Sequence, residues 1–176
     1  MTLPFAIPVL ETERLILRGP EAGDFEPLAA FLADPVRSAG FGGPSSRDQS
    51  WRWFATSLGH WLLRGYGFWT VVERASGQVC GICGLWYPEG WPEPELGWVL
   101  FADAEGRGIA AEAARRVRAH AYDTLGFTTL TSNIVPGNAR SIALAERLGA
   151  RFERRFVNVH MGEELLYRHP GPEELT

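Results

Sequence analysis

The chain has 176 residues, enough for one domain with its own core, and its 45% hydrophobic and 22% charged content is ordinary for a globular protein. A net charge of -4 excludes a general nucleic-acid binder, which needs an excess of basic groups against phosphate. All 17 basic residues are arginine, so a Walker-type phosphate loop, which needs a lysine after its last glycine, is excluded as well.

The opening segment, Met1 to Leu10, is apolar but holds Pro4 and Pro8, has no basic leader and is too short to span a membrane. A cytoplasmic protein with no membrane association is expected. Glu13 to Arg18 reads as a short strand ended by Gly19-Pro20. Phe25, Leu28, Ala29 and Leu32 have helical spacing, and Asp34-Pro35 stops that helix. Residues 35–45 form a glycine-rich loop around Phe41, and Ser45 or Ser46 is placed to cap a long helix from Arg47 to Arg64. Two antiparallel strands follow, Phe68 to Glu73 and Gln78 to Trp86, joined at Ala75-Ser76-Gly77.

Cys80-Gly81-Ile82-Cys83 has redox-pair spacing but lies inside the second of these strands. Strand residues three apart face opposite ways, so two separated, buried free thiols are expected. Pro88 to Pro94 is a loop carrying Trp91, and Glu95 to Phe101 is the next strand. A helix from about Arg107 to Thr124 steps Ile109, Ala113, Val117, Ala121 and Leu125 along one face and stops at Gly126. The chain closes with a strand from Thr128 to Ile134, a helix from Asn138 to Leu148 and strands Phe152 to Val159 and Glu164 to Arg168. A polar tail from Pro170 is expected to be loose.

The order β-α-α-β-β-β-α-β-α-β-β shows no repeat and no linker, and predicts an α/β fold. One domain spans residues 1–176 with its core at about 10–169, built on a mixed, mostly antiparallel sheet flanked by helices. Glu105-Gly106-Arg107-Gly108-Ile109-Ala110 joins a strand to a helix. Glycines let the backbone approach a ligand, and the first helical turn offers free N–H groups and a positive dipole end to an anion. Arg107 could add a full charge. The plain alternative is an ordinary turn. Gly106-x-Gly108-x-x-Ala111 nearly fits a dinucleotide fingerprint, but four strands precede it and no acid follows at the ribose-binding distance.

Three stretches together resemble the GNAT N-acetyltransferases, and within them the ribosomal-protein N-terminal acetyltransferase (RimJ/RimL-type) branch. They are Thr12 to Arg18, Glu95-Leu96-Gly97-Trp98 followed by Gly106 to Ala113, and Asn138-Ala139-Arg140-Ser141 with Leu148-Gly149-Ala150. The likeness covers nearly the whole chain. It implies acetyl-CoA as co-substrate, its pyrophosphate on Glu105, Gly106, Arg107, Gly108, Ile109 and Ala110. Its pantetheine arm would run along the backbone of Trp98, Val99 and Leu100 as an added strand. Glu105 stands where the family usually has Gln or Arg. A carboxylate repels pyrophosphate, so its side chain is expected to point away. Asn138 would bond to the cofactor arm and Ser141 would lie near the sulfur, although Asn138 also reads as a simple helix cap.

The resemblance implies direct attack of an amine on the thioester. Glu95, opening the cofactor-side strand, is the candidate base, against the alternative of a solvated strand-end acid. The family's late-helix Tyr acid is replaced by Ala145 in the pair Leu144-Ala145, and Ser141 is the substitute acid. His60, His120 and His160 sit in no motif, and no cluster has metal-ligand spacing. The acceptor amine, a protein N-terminus or a small molecule, is expected between the 35–45 loop and the last hairpin. Trp51, Trp86 and Trp91 are candidates for an aromatic pocket there, or for core. A monomer or homodimer is expected. A non-catalytic acyl-CoA-binding sensor is the alternative function, favoured by the absent Tyr and by Glu105.

Overall fold

The computed structural model describes residues 5–175, so the apolar opening segment is seen only from Phe5 onward. Twelve principal elements follow one another: β1 (Leu10–Glu11), β2 (Leu15–Arg18), α1 (Phe25–Ala33), α2 (Arg47–Arg64), β3 (Phe68–Glu73), β4 (Val79–Trp86), β5 (Glu95–Leu100), α3 (Ile109–Asp123), β6 (Thr131–Ile134), α4 (Ala139–Arg147), β7 (Arg151–Asn158) and β8 (Gly162–Arg168). The strands form one sheet in the order β1-β2-β3-β4-β5-β6-β8-β7. Every neighbouring pair is antiparallel except β5–β6. The expected mixed, mostly antiparallel α/β architecture is what the chain adopts.

Two details differ from the sequence reading. The two-residue β1 extends the sheet beyond β2, with Leu10 opposite Leu17. The strand expected from Thr128 begins at Thr131 instead. The segment it would pair with carries Pro92 and Pro94, which have no N–H to donate, so the ladder starts only at Glu95 opposite Thr131.

The central strands of the sheet are buried on both faces, whereas β7 is exposed along most of its length. On one side, α3 presents Ile109, Ala113, Val117 and Ala121, all at most 1% exposed, against Leu85 and Leu96 of the sheet. Burying side chains such as Ile109 and Val117 contributes roughly 1.5–3 kcal/mol each. On the other side, α1 and α2 pack Phe25, Leu28, Leu32 and Phe54 against Phe68, Ile82 and Val99. Helix α2 is fixed at its start by Ser46, whose hydroxyl accepts from Gln49 N–H while the Gln49 side chain accepts from Ser46 N–H.

The cysteines need a correction. Both are free and buried, but they do not face opposite ways: Cys80 and Cys83 lie in the same core cluster. A bulge in β4 is responsible. Val71 pairs with Gly81 and Val72 with Val79, so one extra residue resets the alternation between the two thiols.

The last strand leads into a short turn rather than directly into solvent. Tyr122 donates its hydroxyl hydrogen to Pro170 O at 2.9 Å, and Pro172–Glu174 forms a 3₁₀ turn. No helix among the described residues is long and apolar enough to cross a membrane.

Candidate active site

β5 and β6 run parallel but pair only at Glu95 and Thr131. Beyond that point Ser132 Oγ still donates to Leu96 O, at 2.6 Å, and then the two strands part. β5 continues alone on its β6 side through Trp98, Val99 and Leu100, while its other edge stays paired to β4 as far as Leu100 opposite Gly81. A half-paired strand offers backbone donors and acceptors to an extended ligand.

Following β5, the chain makes a 3₁₀ turn at Ala102–Ala104 and reaches Glu105-Gly106-Arg107-Gly108. Gly106 and Gly108 have φ of 72° and 75°, a left-handed backbone that disfavours any residue with a Cβ. Gly108 caps α3 without a side-chain bond, so the N–H groups of the first turn of this 15-residue helix stay available to an anion. The side chains around the loop are already paired. Arg107 is bound to Glu73. Glu105 is held by Arg140 at 2.6 Å and by Arg37 at 3.5 Å, which turns its carboxylate toward two guanidinium groups. Arg14 binds Glu112 at 2.6 Å and donates to Arg107 O at 2.9 Å, and its guanidinium is the group that a Cβ on Gly108 would touch.

Asn138 caps α4, its Oδ1 accepting from Ser141 N–H at 3.2 Å. Its Nδ2 lies against Gly40, where an added Cβ would collide with it, so a glycine here lets the 38–41 turn close over the start of α4. The Ser141 hydroxyl accepts from Trp98 Nε1 at 3.4 Å, linking α4 to β5.

These elements line a half-open cavity of ≈100 Å³. Gly40 and Phe41, Met161 and Glu164 of the last hairpin, and Asn138 and Ser141 all contribute to its wall. Trp53, Phe68, Trp86, Trp91 and Trp98 supply aromatic surface. Glu95 also lines the cavity. Its carboxylate accepts from Trp91 Nε1 at 2.7 Å and more weakly from Asn133 N–H at 3.3 Å and Asn133 Nδ2 at 3.4 Å. Burial, helped by the nearby Glu164 carboxylate and only partly opposed by the Trp91 and Asn133 bonds, pushes its pKa up to about 7. Among the described residues, none that lines the cavity is basic.

Of the aromatic candidates, Trp86 and Trp91 line this cavity and Trp51 does not. Trp51 is 54% exposed and packs edge-on against Phe25 at 5.0 Å. Two residues along a helix turn the side chain about 200° away, so Trp53 faces the cavity in its place. Trp98 was singled out for its backbone and adds its ring. Glu164 and Asn133 were not anticipated.

Two of the histidines are bound in structural roles. His60 accepts Tyr87 N–H at Nε2, 2.9 Å, lies 2.8 Å from Tyr66 O at Nδ1, and stacks on Trp86. His169 is buried between Ser132 and Arg118, and burial together with the Arg118 charge pushes its pKa down to about 3. Among the described residues no group of His, Cys, Asp and Glu could hold a metal ion.

A sheet that splays at a glycine-bounded helix start sets an unpaired strand edge and a free helix N-terminus beside an aromatic-lined cavity, which suits an extended, anion-bearing ligand. The acetyltransferase (GNAT) domain family matches residues 14–151, and the chain belongs to that family, whose members use acetyl-CoA as co-substrate. The chain is similar to the crystal structure of an acetyltransferase from Agrobacterium tumefaciens str. C58, with 38% identity, TM-score 0.87 and coverage of 97% of this chain and 98% of that one. It is 31% identical over 121 residues to an L-2,4-diaminobutyric acid acetyltransferase of Streptomyces avermitilis, 61% of this chain and 68% of the relative. A ribosomal L7/L12 alpha-N-protein acetyltransferase, RimL, shares the fold at TM-score 0.75 and 13% identity, over 92% of this chain and 93% of that one.

Proposed function

We propose that this chain is a cytoplasmic, single-domain N-acetyltransferase, monomeric or homodimeric, that moves the acetyl group of acetyl-CoA to a primary amine by direct attack in a ternary complex. The observation that carries the reading is Glu95: a carboxylate lining an aromatic cavity at the root of the β5–β6 splay, with its pKa pushed up to about 7. A base is most useful with a pKa near the working pH.

When bound, acetyl-CoA supplies an activated thioester. The residues present fit it. The first turn of α3 and the backbone of Glu105 to Ala110 suit the pyrophosphate, and the unpaired edge of Trp98, Val99 and Leu100 suits the pantetheine arm. Asn138 keeps Nδ2 as a donor toward that arm, since its Oδ1 is occupied by Ser141 N–H. Glu95 takes the proton that the attacking amine loses, directly or through water. Ser141 accepts from Trp98, which leaves its own hydroxyl hydrogen free to donate a hydrogen bond that would stabilise a thiolate leaving group, the thiolate taking its proton from solvent. Holding both reactants in one cavity contributes much of the rate.

Within the family, the three motif stretches support the RimJ/RimL-type branch. The similarity to a diaminobutyric acid acetyltransferase supports a small-molecule amine, alongside a protein N-terminus, as acceptor. The sensor alternative loses one of its two supports, because the Glu105 charge is balanced by Arg37 and Arg140 rather than aimed at a pyrophosphate. The test is turnover with acetyl-CoA and a panel of amines, read by free-thiol release and by the mass of the product. Thiol release matched by an acetylated amine is expected; binding of acetyl-CoA with no acetylated product from any amine would leave the sensor reading.

A further inference from the structure

Glu164 belongs to no motif and has no part in the transfer described above. Its side chain is only 3% exposed, yet it lines the same cavity as Glu95. Asn158 fixes it there. Asn158 Nδ2 donates to Glu164 Oε2 at 2.9 Å, and Asn158 Oδ1 accepts from the N–H groups of His160 and Met161 at 2.8 and 3.2 Å. One buried asparagine therefore sets the turn of the last hairpin and aims its carboxylate.

The surroundings of Glu164 are unlike those of other inward-reaching acids. Asp24 is paired with Arg18, Glu93 with Arg168 and Glu112 with Arg14. Among the described residues, neither Glu95 nor Glu164 has a cationic partner, and nothing basic lines their cavity. Asn133 Oδ1, on the same wall, is a buried acceptor with no donor. The cavity thus offers two carboxylates, ringed by aromatic faces.

Buried carboxylates without counterions are costly, and the balance must come from a proton or from an entering cation. An ammonium group brings three donors and no acceptor, and aromatic faces attract it. A ligand carboxylate would meet only like charge here. We propose that Glu164 seats a second ammonium group of the acceptor, so that the preferred acceptor is a short unbranched diamine without a carboxylate. This rests on the reading in which Glu95 receives the reacting amine.

Three compounds with one carbon skeleton test it: diaminopropane, propylamine, and diaminobutyrate, which is diaminopropane bearing a carboxylate. Binding to the full chain is followed by calorimetry and by quenching of the cavity tryptophans, above pH 7, where Glu95 is ionised. Diaminopropane is expected to bind at least about 10-fold more tightly than either of the others. Glu164→Gln, whose amide oxygen can still accept from Asn158, should erase the diamine advantage and leave propylamine within about twofold, because only the second ammonium loses a charged partner. Equal binding of diamine and monoamine by the parent protein overturns the proposal without any variant. So does an equal loss for both in Glu164→Gln, which would mean that Glu164 acts only through Glu95, and so does tighter binding of an N-terminal peptide. Selective diamine binding with no acetylated product would instead remove the transfer reading and leave the Glu164 seat standing.

Discussion

The two halves of the candidate site are made of different material. The proposed cofactor side, Trp98 to Ala110, is one continuous stretch that offers backbone groups: an unpaired strand edge, two left-handed glycines and an open helix start. The proposed acceptor side is made of residues from nine separate places: the 38–41 turn, α2, β3, β4, the loop before β5, β5 itself, β6, α4 and the last hairpin. Backbone chemistry tolerates most side-chain changes around it, whereas the cavity depends on which atoms sit at each wall. The difference suggests that the cofactor is set by the fold and the acceptor by a few residues that a fold does not dictate.

The largest expected effect lies on the cofactor side. Gly108→Glu should weaken acetyl-CoA binding by at least about 10²-fold, because it places bulk and negative charge where the pyrophosphate meets the helix start. The left-handed φ at Gly108 makes any substitution strained, so Gly108→Ala is the control. Alanine shares the strain, about 1–2 kcal/mol, without the charge, and should bind far better than the glutamate. If calorimetry gives both variants the parent affinity, the helix start is not the cofactor site.

On the acceptor side, Glu95→Gln should lower kcat/KM for the amine by about 10²-fold and leave acetyl-CoA affinity nearly unchanged. In the parent, kcat/KM should rise as pH passes about 7, where Glu95 ionises, and that limb should vanish in the variant. Stability gives a second readout. A carboxyl pushed up in the fold stays protonated between about 4.5 and 7 while the unfolded chain has already ionised, so the fold loses stability as pH rises through that window. Glu95→Gln removes that titration, so the variant's stability should stay level between about pH 4.5 and 7, where the parent's falls. A variant that keeps the parent pH profile and the parent melting curve would return Glu95 to the status of a solvated strand-end acid.

How much of this was legible in the sequence follows the same division. The element order, the α3 face through Ile109, Ala113, Val117 and Ala121, and the glycine turn can all be read because each is local and periodic. Glu95 can be read because it opens a motif. Glu164 and Asn133 cannot be read in the same way, since nothing in a single strand announces that β6 and β8 will bring them to one cavity. Trp51 illustrates the reverse failure: a tryptophan next to the right one, turned away by two residues of helix. The cysteines were read with the right chemistry and the wrong geometry, because the bulge at Val79 to Gly81 depends on how β4 pairs with β3 and not on β4 itself.

That bulge gives a smaller test. Burial pushes both thiols up and away from reactivity. Cys80 and Cys83 nevertheless share one cluster, so a role as a pair is a fairer question than it was for side chains on opposite faces. The Cys80→Ala/Cys83→Ala double variant should keep kcat/KM within about twofold while losing roughly 1–2 kcal/mol of stability from the vacated volume. Complete loss of turnover in a folded, cofactor-binding double variant would assign the pair a function that the geometry above does not give it.

The smallest effect concerns the residue that departs from the family pattern. Glu105 binds Arg140 at 2.6 Å and Arg37 at 3.5 Å, and its own carboxylate is about one-third exposed. Such exposed pairs contribute little to folding, since water screens them and their side chains lose freedom. Their consequence lies in binding. Two guanidinium groups beside the pyrophosphate loop are held by an acid, and Glu105→Gln removes one negative charge there and releases both cations. Acetyl-CoA affinity should therefore rise by about threefold at low salt, a gain of the size expected for one exposed charge interaction. It should disappear near 1 M salt, where the Debye length falls to about 3 Å. The salt dependence separates this account from a change of shape, which would persist at high ionic strength. If Glu105→Gln instead weakens binding at every salt concentration, then Glu105 matters for the positions it gives Arg37 and Arg140. The cofactor side would then depend on specific side chains after all, much as the acceptor side does.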